Sequence, residues 1–166
     1  MKKIFLSLTF FVSVLLCSNG IQAQDVTKDL DQLKLADKYF VGTWQQVTSR
    51  DTVDAWEIKR DGNALTEIDY IIVNGEKTIY SYWIYHYGPQ RDNFYMFVSY
   101  VYGGCLSGIG SFIDSTKWQQ QFFEMFNPDK FIRKAEFVFD TPSDLTITHF
   151  NSDGVKGSEV KYIKAK

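Results

Sequence analysis

The sequence predicts an all-β fold, an antiparallel up-and-down β-barrel of eight to ten strands behind a short N-terminal helix. Three observations carry this reading. From residue 40 onward, apolar and polar residues alternate with period two through ten short segments, the pattern of strands with one buried face. Turn-forming clusters separate those segments: Asp61-Gly62, Asn74-Gly75, Gly88-Pro89, Asn127-Pro128-Asp129, Thr141-Pro142-Ser143 and Ser152-Asp153-Gly154. A single stretch ahead of them carries helical spacing. A sheet of that many strands curls and closes, which removes its edges.

In chain order, the first element is a leader. "MKKIFLSLTFFVSVLLCSNGIQAQD" opens with Lys2 and Lys3, runs apolar from Ile4 to Cys17, then turns polar around Ala23. This is the layout of a secretory signal peptide over 1–23, and the apolar run is too short for a membrane span of ~20 residues. A periplasmic or secreted protein is expected. Cys17 offers a lipid-anchor alternative, which the bulky Leu16 before it counts against. Residues 24–39 follow as the helix: Val26, Leu30, Leu33 and Ala36 recur at helical spacing, and Asp25 or Thr27 can cap its start.

The barrel is expected over 40–166. Its strands are read at 40–49, 53–60, 63–73, 76–86, 93–102, 108–114, 117–126, 130–140, 144–150 and 157–165. Loss of the leader removes two lysines from a chain of net charge −2, and no basic cluster remains, so nucleic acid is not an expected partner. Only Cys105 remains of the two cysteines, so the domain has no intramolecular disulfide and depends on its core. The 17 % aromatic content supplies one.

Asn74-Gly75 sharpens the picture, because Asn-Gly between strands favours a two-residue type I′ turn. Val73 then faces Glu76, and Ile68, Tyr70 and Ile72 share a face with Ile79, Ser81, Trp83 and Tyr85. Glu67 and Asp69 fall on the other face with Tyr80, Tyr82 and Ile84. Unpaired buried carboxylates are costly, so that second face is read as outward. The inward set is apolar with polar tips, which suits a pocket for a small amphipathic molecule. A barrel filled by its own bulky side chains is the competing reading. In that case the outward stripe of Tyr80, Tyr82 and Ile84 becomes the candidate homodimer seam.

Further along, Phe131, Arg133, Ala135, Phe137 and Phe139 share a parity. An arginine among apolar neighbours either reaches the barrel mouth or meets an anion inside. Cys105, in the glycine-rich run "YGGCLSGIGS", has Arg91 and Lys117 as its nearest basic residues, so it reads as a small buried hydrophobe. Gly103, Gly104, Gly108 and Gly110 are expected to make a bulged or kinked corner. His86 falls on the outward parity, and His149 shares a parity with Leu145 and Ile147. No phosphate loop, dinucleotide fingerprint or metal-ligand spacing is present, and no cofactor is expected. No convergent acid–base set marks an enzyme.

Gly42-Thr43-Trp44, at the head of this pattern, resembles the G-x-W signature of the calycins, the group that holds lipocalins and fatty-acid-binding proteins. The ending "TPSDLTITHFNSDGVKGSEVKYIKAK" is similar to that of lipocalin-like domains in exported bacterial proteins, with a Thr-Pro turn, a strand, a Ser-Asp-Gly turn and a basic last strand. The resemblance implies a barrel with an internal ligand site. It also implies that Trp44 closes one barrel end against a basic residue of the last strand, here Lys161 or Lys164, where an arginine is more usual. In fatty-acid-binding calycins a buried arginine holds the carboxylate, a part that Arg133 would take.

The expectation is therefore an exported protein that binds a small apolar or amphipathic molecule inside a barrel. Ile68, Tyr70, Ile79, Trp83, Tyr85 and Arg133 are its candidate ligand-binding residues, and Gly42, Trp44 and Lys161 its barrel-closing set. The alternative is a filled barrel of the cell envelope acting through its outer aromatic face.

Overall fold

The computed structural model describes residues 30–125 and 127–165. The leader and the first part of the expected helix lie outside them. Among the described residues a helix, α1 (Gln32–Tyr39), precedes ten strands: β1 (Gly42–Ser49), β2 (Thr52–Asp61), β3 (Ala64–Val73), β4 (Glu76–Gly88), β5 (Asn93–Tyr100), β6 (Cys105–Phe112), β7 (Lys117–Glu124), β8 (Asn127–Thr141), β9 (Asp144–Phe150) and β10 (Lys156–Lys164). Each strand pairs antiparallel with the next, and β1 pairs with β10, so the sheet is a closed barrel. The closing seam is short. Trp44 lies opposite Lys164 and Gln45 opposite Ile163, and Ala165 N donates to Thr43 O at 2.8 Å.

Asp31 caps α1 by accepting from Lys34 N at 2.9 Å; the expected caps Asp25 and Thr27 lie outside the described residues. The helix lies over the barrel end that carries the β2–β3 and β6–β7 turns. Gln32, fully buried, holds it there through both ends of its side-chain amide. Its Nε2 donates to Phe112 O at 3.0 Å and its Oε1 accepts from Phe112 N at 2.8 Å. Asp37 pairs with Arg60 of β2. A buried amide with both groups satisfied fixes orientation as well as adding stability, because no other register of the helix pairs them.

Beneath α1 the barrel is filled. Phe40 meets Trp118 edge to face at 4.9 Å, and Phe94, Phe112 and Phe139 complete an aromatic plug. Gly110 of β6 makes room for it. A Cβ there would lie 2.3 Å from Trp118 Cζ2. β6 pairs with both neighbours without a register shift, so Gly108 and Gly110 are packing positions rather than the expected bulged corner. The bend falls to Gly103 and Gly104, whose φ values of 99° and 90° make the β5–β6 turn. Cys105, half-buried at the start of β6, is free.

At the strand seam, Trp44 is fully buried, stacks on Trp56 at 5.5 Å and donates Nε1 to Phe40 O at 3.1 Å. The basic residue over its ring is Lys164, at 5.1 Å. Lys161 is exposed, which corrects the assignment of the barrel-closing part to it. The reason is parity: Trp44 pairs directly with Lys164, and Tyr162 and Lys164 face inward while Lys161 and Ile163 face out. Gly42, at φ 126°, leaves the space that the Lys164 stem occupies. A Cβ there would sit 3.0 Å from Lys164 Cε. Lys164→Ala is therefore expected to lower unfolding free energy by about 1 kcal/mol, from the lost cation–π and stem contacts. Lys161→Ala should stay within about 0.5 kcal/mol of the parent protein. Urea titration of the two variants checks this, and equal losses would refute it.

The β3–β4 hairpin begins as expected, with Val73 opposite Glu76 and Tyr70 opposite Ile79. A β-bulge at Tyr80 then shifts the register, so that Asp69 faces Ser81, Glu67 faces Trp83 and Leu65 faces Tyr85. The carboxylate face of β3 is thus the inward one, and Glu67 and Asp69 are 8 % and 6 % exposed. On β4 the alternation holds: Ser81, Trp83 and Tyr85 point in, while Tyr82, Ile84 and His86 are exposed. Tyr80, expected outside, has its hydroxyl inside the barrel. The outer stripe of Tyr82 and Ile84 continues onto β5 through the Ile84–Phe97 pair. Among the described residues no helix is long and apolar enough to cross a membrane.

Candidate functional site

The half of the barrel away from α1 is hollow. A cavity of about 240 Å³ lies there, lined by side chains from β2, β3, β4, β5, β7, β8, β9 and β10. Aromatic walls enclose it. Trp83 and Tyr85 stack with ring centroids 6.0 Å apart, Phe122 meets Trp83 edge-on at 5.5 Å, and Trp56 and Phe137 face them. Alternation on consecutive strands of a twisted barrel brings these residues to one place, as it does in any barrel interior.

Of the residues expected to bind ligand, Trp83, Tyr85 and Arg133 line the cavity. Ile68, Tyr70 and Ile79 do not. Tyr70 pairs with Ala55 and Ile79, and Ile68 with Glu57, on the parity opposite to Glu67 and Asp69, so all three belong to the outer face. Lys77 covers the Tyr70 ring at 3.5 Å, which explains its burial on that face. The sequence reading missed Glu67, Asp69, Tyr80, Tyr100, Gln120 and Tyr162 as lining residues.

The cavity has an acidic side. Asp69 Oδ2 accepts from Trp83 Nε1 at 2.6 Å and from Ser81 Oγ, and Glu67 Oε2 accepts from Tyr85 Oη at 2.7 Å. The two carboxyls stand on the same inward face of β3, two residues apart. Burial pushes Glu67 well above the usual carboxylate range, and the neighbouring Asp69 charge pushes it further. Burial raises Asp69 too, opposed by its hydrogen bonds from Ser81 and Trp83. Two buried carboxyls on one strand face titrate as a coupled pair, and burial with the Asp69 charge favours the proton on Glu67. Next to them, Asp54 accepts from Tyr80 Oη at 2.8 Å and from Tyr162 Oη at 2.6 Å.

The opposite side is basic. Arg133 of β8 is half-buried and donates from Nη2 to Tyr100 Oη at 3.0 Å, with its guanidinium 5.0 Å from the Phe122 ring centre. Its Nε is buried and has no partner. Among the described residues it makes no ion pair. His149, across the β8–β9 ladder opposite Ala135, is lowered by burial and then by the Arg133 charge, both of which disfavour the imidazolium. Among the described residues no three His, Cys, Asp or Glu side chains converge as metal ligands. Acidic and basic side chains thus line one cavity together with aromatic walls.

No protein-family model matches the chain, and no curated protein matches it.

Proposed function

We propose that this chain is an exported, lipocalin-like binding protein that holds a small amphipathic molecule in the hollow half of the barrel, with an anionic group of the ligand on Arg133. The observation that carries the reading is the state of that guanidinium. It is half-buried beside aromatic rings, has no carboxylate partner among the described residues, and keeps a buried N–H unused. Burying a cation without a counter-charge is costly, and a bound anion relieves the cost through charge-assisted hydrogen bonds. The walls of Trp56, Trp83, Tyr85, Phe122 and Phe137 suit the apolar body of such a ligand. Gly42 and Trp44 closing the barrel against Lys164 support the calycin-like reading, and the N-terminal leader supports export.

Native mass spectrometry of the protein purified gently from its own host is the direct search for a retained cargo. A defined test uses 3-phenylpropanoate and its neutral amide as probes in isothermal titration. Arg133→Met should weaken the carboxylate by tenfold or more and leave the amide nearly unchanged. Equal binding of the carboxylate to both proteins would overturn the assignment.

A further inference from the structure

We infer that the Glu67–Asp69 pair is a second recognition pole that takes an ammonium group, so that the ligand of this barrel is a small zwitterion spanning Glu67–Asp69 and Arg133. The inference rests on the binding reading above and adds the chemical class of the ligand.

Three observations lead to it. The first is an unfilled acceptor. Asp69 is 6 % exposed and lines the cavity, its Oδ2 takes both the Ser81 and Trp83 donors, and its Oδ1 is buried without a nitrogen or hydroxyl donor. Buried carboxylate oxygens are ordinarily satisfied, so the acidic side of the cavity carries an unused acceptor. The second is complementarity. A second unpaired atom belongs to another residue that lines this cavity: Arg133 Nε, a donor on a cation. One cavity with an orphan acceptor on an acid and an orphan donor on a base fits a ligand bearing both charges. The third is the material between the poles. Trp83, Tyr85, Trp56 and Phe122 offer ring faces that attract an ammonium and bury an aryl or alkyl body.

The volume sets the size. A cavity of about 240 Å³ holds roughly eight waters at liquid density. That space suits a compact ligand, in the range of an amino acid with an apolar side chain.

The proton on Glu67 makes the inference measurable. An ammonium at Asp69 favours the ionised form of Glu67, so the proton leaves to solvent as the ligand enters. The groups facing the pair are Ser81, Trp83 and Tyr85 from β4, Tyr80 from the bulge and Asp54 from β2, with Tyr162 from β10 and Arg133 and His149 across the cavity. Of these, His149 is lowered by burial and by the Arg133 charge, which disfavours its imidazolium form. The released proton therefore comes from the carboxyl pair.

The experiment is isothermal titration of the purified protein with L-phenylalanine, 3-phenylpropanoate and 2-phenylethylamine, at neutral pH in two buffers of different ionisation enthalpy. The zwitterion should bind roughly tenfold or more tightly than either singly charged analogue. It should release up to one proton per site, while 3-phenylpropanoate releases none. Glu67→Gln, which keeps the size, should abolish the proton release and most of the zwitterion's advantage. Tighter binding of 3-phenylpropanoate than of the zwitterion would overturn this inference and leave the Arg133 reading standing. Absence of binding by all three at millimolar concentration would overturn both.

Discussion

Gly110→Ala is expected to destabilise the barrel by about 3 kcal/mol, the upper part of the range for overpacked cores. The methyl group would be placed 2.3 Å from Trp118 Cζ2 and 2.8 Å from Cε2, well inside van der Waals contact. The indole cannot retreat. Phe40, Phe94 and Phe112 box it with ring centroids at 4.9, 5.4 and 5.3 Å, and its Nε1 donates to Gln120 Oε1 at 3.0 Å. Since Gly110 does not occupy the left-handed region, the cost is space alone. Trp118→Phe removes the benzo ring that fills that space, at a cost of about 2 kcal/mol for the lost contacts and the freed Gln120 amide. The double variant should then cost clearly less than the two single changes together. Chemical denaturation of the three variants tests this, and additive losses would show that Gly110 does not serve the Trp118 ring.

The strands were legible because two independent signals agree along most of the chain. Alternation fixes which residues share a face, and Asn-Gly, Asp-Gly and Pro-containing turns fix where a strand stops. The ten expected strands all form, with bounds displaced by three residues or fewer. The interior was legible only in part, and the hairpin shows why. The pairing counted back from Asn74-Gly75 holds from Val73–Glu76 to Tyr70–Ile79 and fails at the next step. One extra residue at Tyr80 reverses the face of β3 relative to β4, and a one-residue slip moves every side chain to the other surface. Nothing local announces it, since Tyr80 is neither Gly nor Asn. The general rule that carboxylates face water then pointed the wrong way for Glu67 and Asp69.

A signal was available in the chemistry of the neighbouring strand. The inward face of β4 carries Ser81, Trp83 and Tyr85, and each of them donates to one of those two carboxyls. A strand whose inner face is rich in donors can hold acids beside it, so satisfiability is a better guide than polarity. The basic pole was legible by parity, because Arg133 stands among apolar residues on one strand. Its partner Tyr100 was not. Tyr100 is 33 residues away, on a strand that only barrel closure brings close. The same holds for Tyr162, 108 residues from the Asp54 it binds.

The buried acid pair also carries the second large effect, on the pH dependence of folding. Glu67 holds its proton in the folded barrel at pH values where the unfolded chain, with an ordinary value of 4.5, has lost it. Above that point the folded state binds more protons than the unfolded one, so stability falls as pH rises, by up to about 1.4 kcal/mol per pH unit until Glu67 itself ionises. Glu67→Gln mimics the protonated form and carries no titratable group. It should match the parent protein near pH 4 and become steadily more stable than it toward neutrality. His149 works in the other direction. Its value is lowered from 6.5, so the folded state binds fewer protons below that point and stability falls as pH drops. That term is common to both proteins and cancels in their difference, which isolates the acid pair. Urea midpoints for parent and variant across pH 4 to 8 give the difference directly. Parallel curves would mean that Glu67 ionises in the folded barrel as freely as in the unfolded chain, and the proton on Glu67 would then have to be abandoned. A rising difference would place a chargeable, unneutralised acid inside the cavity at neutral pH, stabilised when a cation arrives and costly to the fold when none does.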